Sequence, residues 1–258
     1  MNTINLDGKT ILVAGAAGLL GKALVEKLLS AGANVLALDC NEHNLQSLEQ
    51  VWQGETRLTC IVVDIAEAVS IRNALACAER KYGSVDGAIN TIYPRNSNYG
   101  KKFFDVTYAD FCENTTLHLG GYFLFMQQCA EYAVNKKTNF SLVNMSSVYG
   151  VIAPRFNIYA GTEMTMPVEY AAIKSALIHL SKYVTSYVNS SNFRVNVVSP
   201  GGLLDKQPEL FLEAYKENTL GKGMLNVDDV AGPVLYLLSD AAQYINGQNL
   251  IVDDGFTL

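Results

Sequence analysis

The feature that most narrows the fold is an apolar strand that runs straight into a glycine turn. Residues Thr10 to Ala14 (TILVA) are continuously apolar, as in a parallel strand buried on both faces. Gly15-Ala16-Ala17-Gly18-Leu19-Leu20-Gly21 follows, then a helical pattern to Ala31 that Gly32 ends. In this context Gly15 permits a tight turn, Gly18 close approach of backbone to a pyrophosphate, and Gly21 helix–strand contact. The helix N-terminus then faces the anion. Three glycines also fit a plain strand–helix turn, so the second strand matters. Asn34 to Asp39 (NVLALD) ends in an acid 18 residues after Gly21. A carboxylate there accepts hydrogen bonds from a ribose diol and repels a 2′-phosphate, which favours NAD as the cofactor. No arginine lies in the glycine turn or directly after Asp39.

Strand and helix go on alternating. Arg57 to Val63 reads as a strand closing on Asp64-Ile65, Val69 to Tyr82 as a helix, and Val85 to Ile92 as another strand. That order predicts an α/β fold, a doubly wound parallel sheet of about seven strands in three α-β-α layers, with ligands at the strands' carboxyl ends. Asp64 and Asn90 fall at such ends; Asp64 either meets the adenine or caps the next helix. The polar loop from Tyr93 to Lys102 sits on the same edge, so its cations either hold an anionic substrate or are simply solvated. A long helix is expected from Tyr108 to Asn135, with Gly120-Gly121 marking close packing. Phe140 to Met145 is a strand ending in Ser146-Ser147, hydroxyls that either bind a reacting carbonyl or form a turn. Further on come a helix from Pro167 to Asn189, a strand from Phe193 to Ser199 and the break Pro200-Gly201-Gly202. A polar, helix-prone flap to Met224, a helix from Asp228 to Ser239 and a strand from Gln248 to Val252 complete one domain, 1–258.

Tyr170 and Lys174 stand four residues apart and so share a face of the Pro167 helix. An ammonium beside a phenol and a bound cofactor favours the phenolate, and bringing the phenol from about 10 to near 7 takes about 4 kcal/mol. Such a phenol is a general acid/base for an alcohol oxygen. Alone, the pair reads first as an ordinary feature of a half-exposed helix; the rest of the chain reverses that reading.

The 258 residues are 49% hydrophobic and 17% charged, which suits a globular chain. A net charge of −6, with no Lys/Arg run beyond short pairs, argues against nucleic-acid or anionic-membrane surfaces. Five cysteines without C-x-x-C spacing and three histidines point to neither disulfides nor metal. The amino terminus runs directly into the first strand and no apolar run approaches membrane-spanning length, so a cytoplasmic location is expected.

Taken in order, the glycine turn, Asp39, Asp64-Ile65, Asn90, Ser147, Tyr170-x-x-x-Lys174, Arg194 to Gly201 and Asn246 to Gly255 resemble the short-chain dehydrogenase/reductase family, in its compact branch, over essentially the whole chain. The resemblance implies a Rossmann fold, hydride transfer between NAD and a secondary alcohol or ketone, and a homotetramer or homodimer. It makes Tyr170 the proton donor/acceptor, Lys174 the ribose ligand that lowers the tyrosine pKa, and Ser147 the group orienting the substrate oxygen. Leu20, Ile65, Pro200, Gly201 and Leu203 join Gly15, Gly18, Gly21, Asp39, Asp64 and Asn90 at the cofactor.

Four departures stand out. The glycines follow G-x-x-G-x-x-G, the extended-branch spacing. His118 stands where the family usually has an asparagine of the proton relay; as a candidate catalytic residue it either serves in its place or the relay differs. Asp205 replaces a carboxamide-contacting threonine. Ser147 to Tyr170 spans 23 residues, about ten more than usual, and the surplus, Arg155 to Pro167, is expected over the site. With Tyr93-Pro94-Arg95-Asn96 it is similar to bacterial oxidoreductases of flagellin modification and surface-glycan synthesis. A sugar or sugar-phosphate substrate near Tyr93, Arg95 and Arg155 follows from that likeness. A sugar-nucleotide epimerase or dehydratase shares the pair, but the 57 residues after Gly201 are few for its substrate domain. A non-catalytic NAD sensor is the third alternative.

Overall fold

The first strand, β1 (Thr10–Ala14), is wholly buried and lies inside the sheet, third of its seven strands. The structure, a computed structural model, describes residues 4–258. Around β1 stand β2 (Asn34–Asp39), β3 (Leu58–Val62), β4 (Gly87–Asn90), β5 (Phe140–Met145), β6 (Phe193–Pro200) and β7 (Asn249–Val252). Their order is β3-β2-β1-β4-β5-β6-β7 and every pairing is parallel. This is the expected doubly wound sheet. The order reverses between β1 and β4, where chain leaving neighbouring strand ends diverges and opens a crevice for ligands.

Alternation along β1 explains the two covering layers. Ile11 and Val13 join the core under α1 (Leu19–Ser30), α2 (Glu42–Val51) and α8 (Val227–Leu238). Leu12 and Ala14 face the opposite core, under α3 (Ala68–Tyr82), α5 (Gly121–Lys136) and α6 (Val168–Val188). Among the described residues no helix is long and apolar enough to cross a membrane.

Two expectations about helices change. The long helix expected from Tyr108 is α4 (Tyr108–Thr115), then a π-helical turn over Thr116–Gly120, then α5. A π turn closes i→i+5 hydrogen bonds inside an α-helix and often marks a functional site; here it carries His118, which is fully buried. Of Gly120 and Gly121, only Gly121 is closely packed, since a Cβ there would lie 2.7 Å from Ile65 Cδ1, while nothing lies within 4 Å of one on Gly120. Pro167 is the N-cap of α6 rather than a residue of its first turn. The flap contains a helix, α7 (Glu209–Lys216), and the insertion before α6 carries a single 3₁₀ turn, Phe156–Tyr159.

Candidate active site

The glycine turn is shaped as its spacing requires. Gly15 has φ +80°, a region that costs other residues strain, and Gly15 and Ala16 both donate their N–H groups to Leu38 O. A Cβ on Gly21 would overlap Gly15 O, so that glycine is needed for the helix to sit on the turn. Gly18 is the N-cap of α1, and a Cβ there would meet only Gly15 O, at 3.3 Å. The turn therefore presents bare backbone to a groove of about 780 Å³. Asp39 stands over it, its Oδ2 accepting from Ala17 N–H at 3.0 Å and its Oδ1 from Asn41 N–H at 3.0 Å. Gly15, Gly18, Leu20, Gly21, Asp39, Asp64 and Ile65 all line this groove. Asp64 does not cap α3, whose N-cap is Glu67; its carboxylate accepts from Ala66 N–H at 2.8 Å. Asn90 is fully buried with its Oδ1 taking the Ile92 N–H, so it supports the strand end from below instead of lining the groove.

The groove opens into a second space of about 380 Å³, and Leu20, Thr91, Ile92, Tyr93, Leu203 and Asp205 line both. Into it face Ser147, Tyr170 and Lys174, with Pro200 and Gly201 along one side. Its far wall is aromatic: Tyr149, Tyr159, Phe211 and Tyr215, with Met164, Met166 and Met224. Strand ends explain the convergence. Ser146 and Ser147 follow β5 directly, and the two hydroxyls differ in their use. Ser146 Oγ donates to Lys174 O at 2.7 Å and fastens the strand end to α6. Ser147 Oγ accepts from Tyr149 N–H and lies beside the Tyr170 phenol, whose pKa it lowers.

Lys174 is 4% exposed and held by uncharged groups alone. Its Nζ donates to Met145 O at 2.8 Å, lies 3.5 Å from His118 Nε2, and sits 5.3 Å and 5.6 Å from the ring centres of Tyr122 and Tyr170. Burial lowers its pKa from 10.5 to about 7. The same burial pushes the Tyr170 phenol up, outweighing the Ser147 hydrogen bond. With protein groups alone, then, the expected lowering of the tyrosine pKa does not occur, because burial of the phenol itself dominates. His118 is lowered to about 2, first by burial and then by Lys174. It is therefore a neutral acceptor whose Nδ1 has no hydrogen-bond partner among the described residues.

Tyr93 sits edge-on to both Tyr170 (5.6 Å) and His118 (5.4 Å), and its hydroxyl donates to Tyr99 Oη at 2.8 Å. Arg95 stacks on the Tyr93 ring and lines the groove but not the second space. Arg155 corrects the expectation of a substrate contact. Its guanidinium donates to Asn218 Oδ1, Phe256 O and Leu258 O and covers the Phe256 ring, tying the insertion to the chain end. Sequence reasoning missed Tyr122, whose buried hydroxyl donates to Asn90 O (2.9 Å) and Met145 O (3.1 Å) and so braces the carbonyl that holds Lys174. It also missed the tyrosines of the far wall. A tyrosine's place in a helix or flap carries no mark of which way it points.

A family model described as enoyl-(acyl carrier protein) reductase matches residues 15–257. The post-translational flagellin modification protein A of Campylobacter coli is 37% identical over 256 residues, covering 98% of this chain and all of that protein. The 3-oxoacyl-[acyl-carrier-protein] reductase FabG of Thermotoga maritima is 29% identical over 99% of this chain and all of its own length. A short chain dehydrogenase from Leptospira borgpetersenii, solved with bound NAD+, superposes with a TM-score of 0.85 at 30% identity, covering 99% of this chain and 95% of its own. The strand order, the glycine turn and the serine–tyrosine–lysine cluster agree with these matches, and the chain belongs to the short-chain dehydrogenase/reductase family of oxidoreductases.

Proposed function

We propose that the chain transfers a hydride reversibly between NAD(H) and a secondary alcohol or ketone carried on a sugar or sugar-phosphate derivative. The observation that carries this reading is the shared wall between the two spaces, with Ser147, Tyr170 and Lys174 facing one and the glycine turn facing the other. The fit of a dinucleotide is supported by the bare Gly18 backbone and by the two Asp39 oxygens, which together suit a pyrophosphate and an adenosine ribose without a 2′-phosphate. When bound, the nicotinamide supplies or receives the hydride.

The chain's own residues manage the proton. Tyr170 holds the proton given to, or taken from, the substrate oxygen, and its raised pKa keeps the phenol protonated for the reductive direction. Ser147 donates a hydrogen bond to the same oxygen, where charge develops. Lys174 has three N–H bonds. One goes to Met145 O and one points toward His118 Nε2, which leaves one for a ribose hydroxyl. His118 fills the place of the family's asparagine as an acceptor for Lys174, not as an acid or base. The tyrosine hydroxyls of the far wall suit a hydroxylated substrate, and the flagellin-modification relative supports carbohydrate biosynthesis.

Assembly as a homodimer or homotetramer is supported by Phe104, Tyr108 and Phe123, exposed before and along α4 and α5. Five free cysteines support a reducing, cytoplasmic setting. The test is product identification after incubation with NAD+ or NADH and a panel of keto sugars, sugar alcohols and their phosphates. Turnover of a member of that panel is the expected result. No turnover with cofactor binding intact would overturn the reading in favour of a sensor.

A further inference from the structure

A dinucleotide brings two negative charges on its diphosphate, yet the glycine turn, Gly15 to Gly21, contributes no charged side chain to meet them. The groove is electrostatically lopsided. The charged residues lining it are Asp39, Asp64, Asp205 and Arg95. Three carboxylates thus face a site for a dianion, and Arg95 is the one cation among the described residues lining it.

The position of Arg95 is built. The guanidinium carbon lies 5.0 Å from the centre of the Tyr93 ring, a stack that orients the fork. It makes no salt bridge within the described residues. Its loop is fastened to α4: Asn96 N–H donates to Asn114 Oδ1 at 2.9 Å, and Asn98 Nδ2 donates to Asp110 Oδ1 at 2.9 Å. Lys101 ties the same loop to Asp110 at 3.1 Å. Arg95 is absent from the lining of the space that holds Ser147, Tyr170 and Lys174, whereas Tyr93 lines both spaces.

We propose that Arg95 is a cofactor-binding residue, its guanidinium closing over the diphosphate of the bound dinucleotide from the loop after β4. This rests on the nicotinamide-dinucleotide reading above and moves Arg95 from the substrate to the cofactor. It also gives the loop a second task. Tyr93, on which Arg95 stacks, lines both spaces and lies 5.6 Å from the Tyr170 ring and 5.4 Å from that of His118, so the loop that would close over the cofactor also packs against the catalytic tyrosine.

The test is calorimetric titration of wild type, Arg95→Gln and Arg95→Lys with NADH, ADP-ribose, adenosine and NADPH. Arg95→Gln is expected to weaken NADH and ADP-ribose in parallel, by about 10-fold or more, with adenosine changed by less than about 2-fold. Arg95→Lys, which keeps the charge without the fork, falls between. Wild-type NADH affinity is expected to drop more steeply with salt than that of Arg95→Gln. An unchanged NADH affinity overturns the proposal, as does an equal loss for adenosine, which would mean that the loop had merely collapsed. A loss confined to NADPH overturns it in favour of a 2′-phosphate contact. Wild type failing to bind NADH removes both this inference and the function above; wild type binding while Arg95→Gln binds equally removes this inference alone.

Discussion

Replacing Lys174 with methionine is expected to stabilise the protein near neutral pH while removing turnover. Lys174 is 4% exposed and has no carboxylate partner, so its charge is opposed by burial alone. The fall from 10.5 to about 7 corresponds to a charging cost of about 4–5 kcal/mol, at about 1.36 kcal/mol per pKa unit. The folded pKa lies below the unfolded one, so at intermediate pH the unfolded chain binds more protons. The group's penalty is therefore complete below about pH 7 and fades as pH rises toward 10.5. Between pH 7 and pH 9 the linkage relation gives wild type a gain of about 2 kcal/mol that methionine, which does not titrate, lacks. Methionine keeps most of the apolar stem but gives up the bond to Met145 O; that loss shifts both pH values alike. Urea titrations of both proteins at pH 7 and pH 9 read the double difference directly. An advantage of the methionine variant that shrinks by about 2 kcal/mol at the higher pH is expected. A gap between the proteins that stays constant across the two pH values would refute the claim that burial lowers this lysine's pKa.

His118→Ala is expected to lower kcat by about 10-fold, because Lys174 loses its second acceptor, and His118→Asn by less. Since the ring is held neutral with a pKa of about 2, His118→Asn should leave the pH–rate profile between pH 5 and 7 unmoved, and a shifted acid limb would show that the ring titrates in turnover. Arg155→Ala is expected to cost about 1–3 kcal/mol in a urea titration and to expose the chain end to carboxypeptidase. Its preference between phosphorylated and unphosphorylated substrates should match wild type, since Arg155 is engaged by Asn218, Phe256 and Leu258; a changed preference would return it to the substrate.

How far the sequence could be read depended on how local each cause was. β1, the glycine turn and Asp39 were legible because a buried parallel strand leaves a continuous apolar run and a tight turn demands glycine. Tyr170 and Lys174 were legible because helical spacing alone puts them on one face. The π turn at Thr116–Gly120 was not, because it depends on what the helix packs against, and its outcome, His118 against Lys174, joins residues 56 apart in the chain. Arg155 was misread for a similar reason: a cation near a ligand edge looks free until the chain end, about a hundred residues on, is folded beneath it. The Tyr170 pKa was also misjudged, since spacing reports proximity to the lysine and says nothing of the burial that raises the phenol.

The most direct measurement of the central claim is a side-by-side comparison of NADH binding and substrate turnover in wild type and Tyr170→Phe. The substitution removes only the hydroxyl that carries the proton. NADH affinity is expected to stay within about 3-fold while turnover falls by at least about 100-fold, the usual range for losing a general acid/base. A Tyr170→Phe protein that binds NADH normally and still turns over within a few fold of wild type would contradict the account.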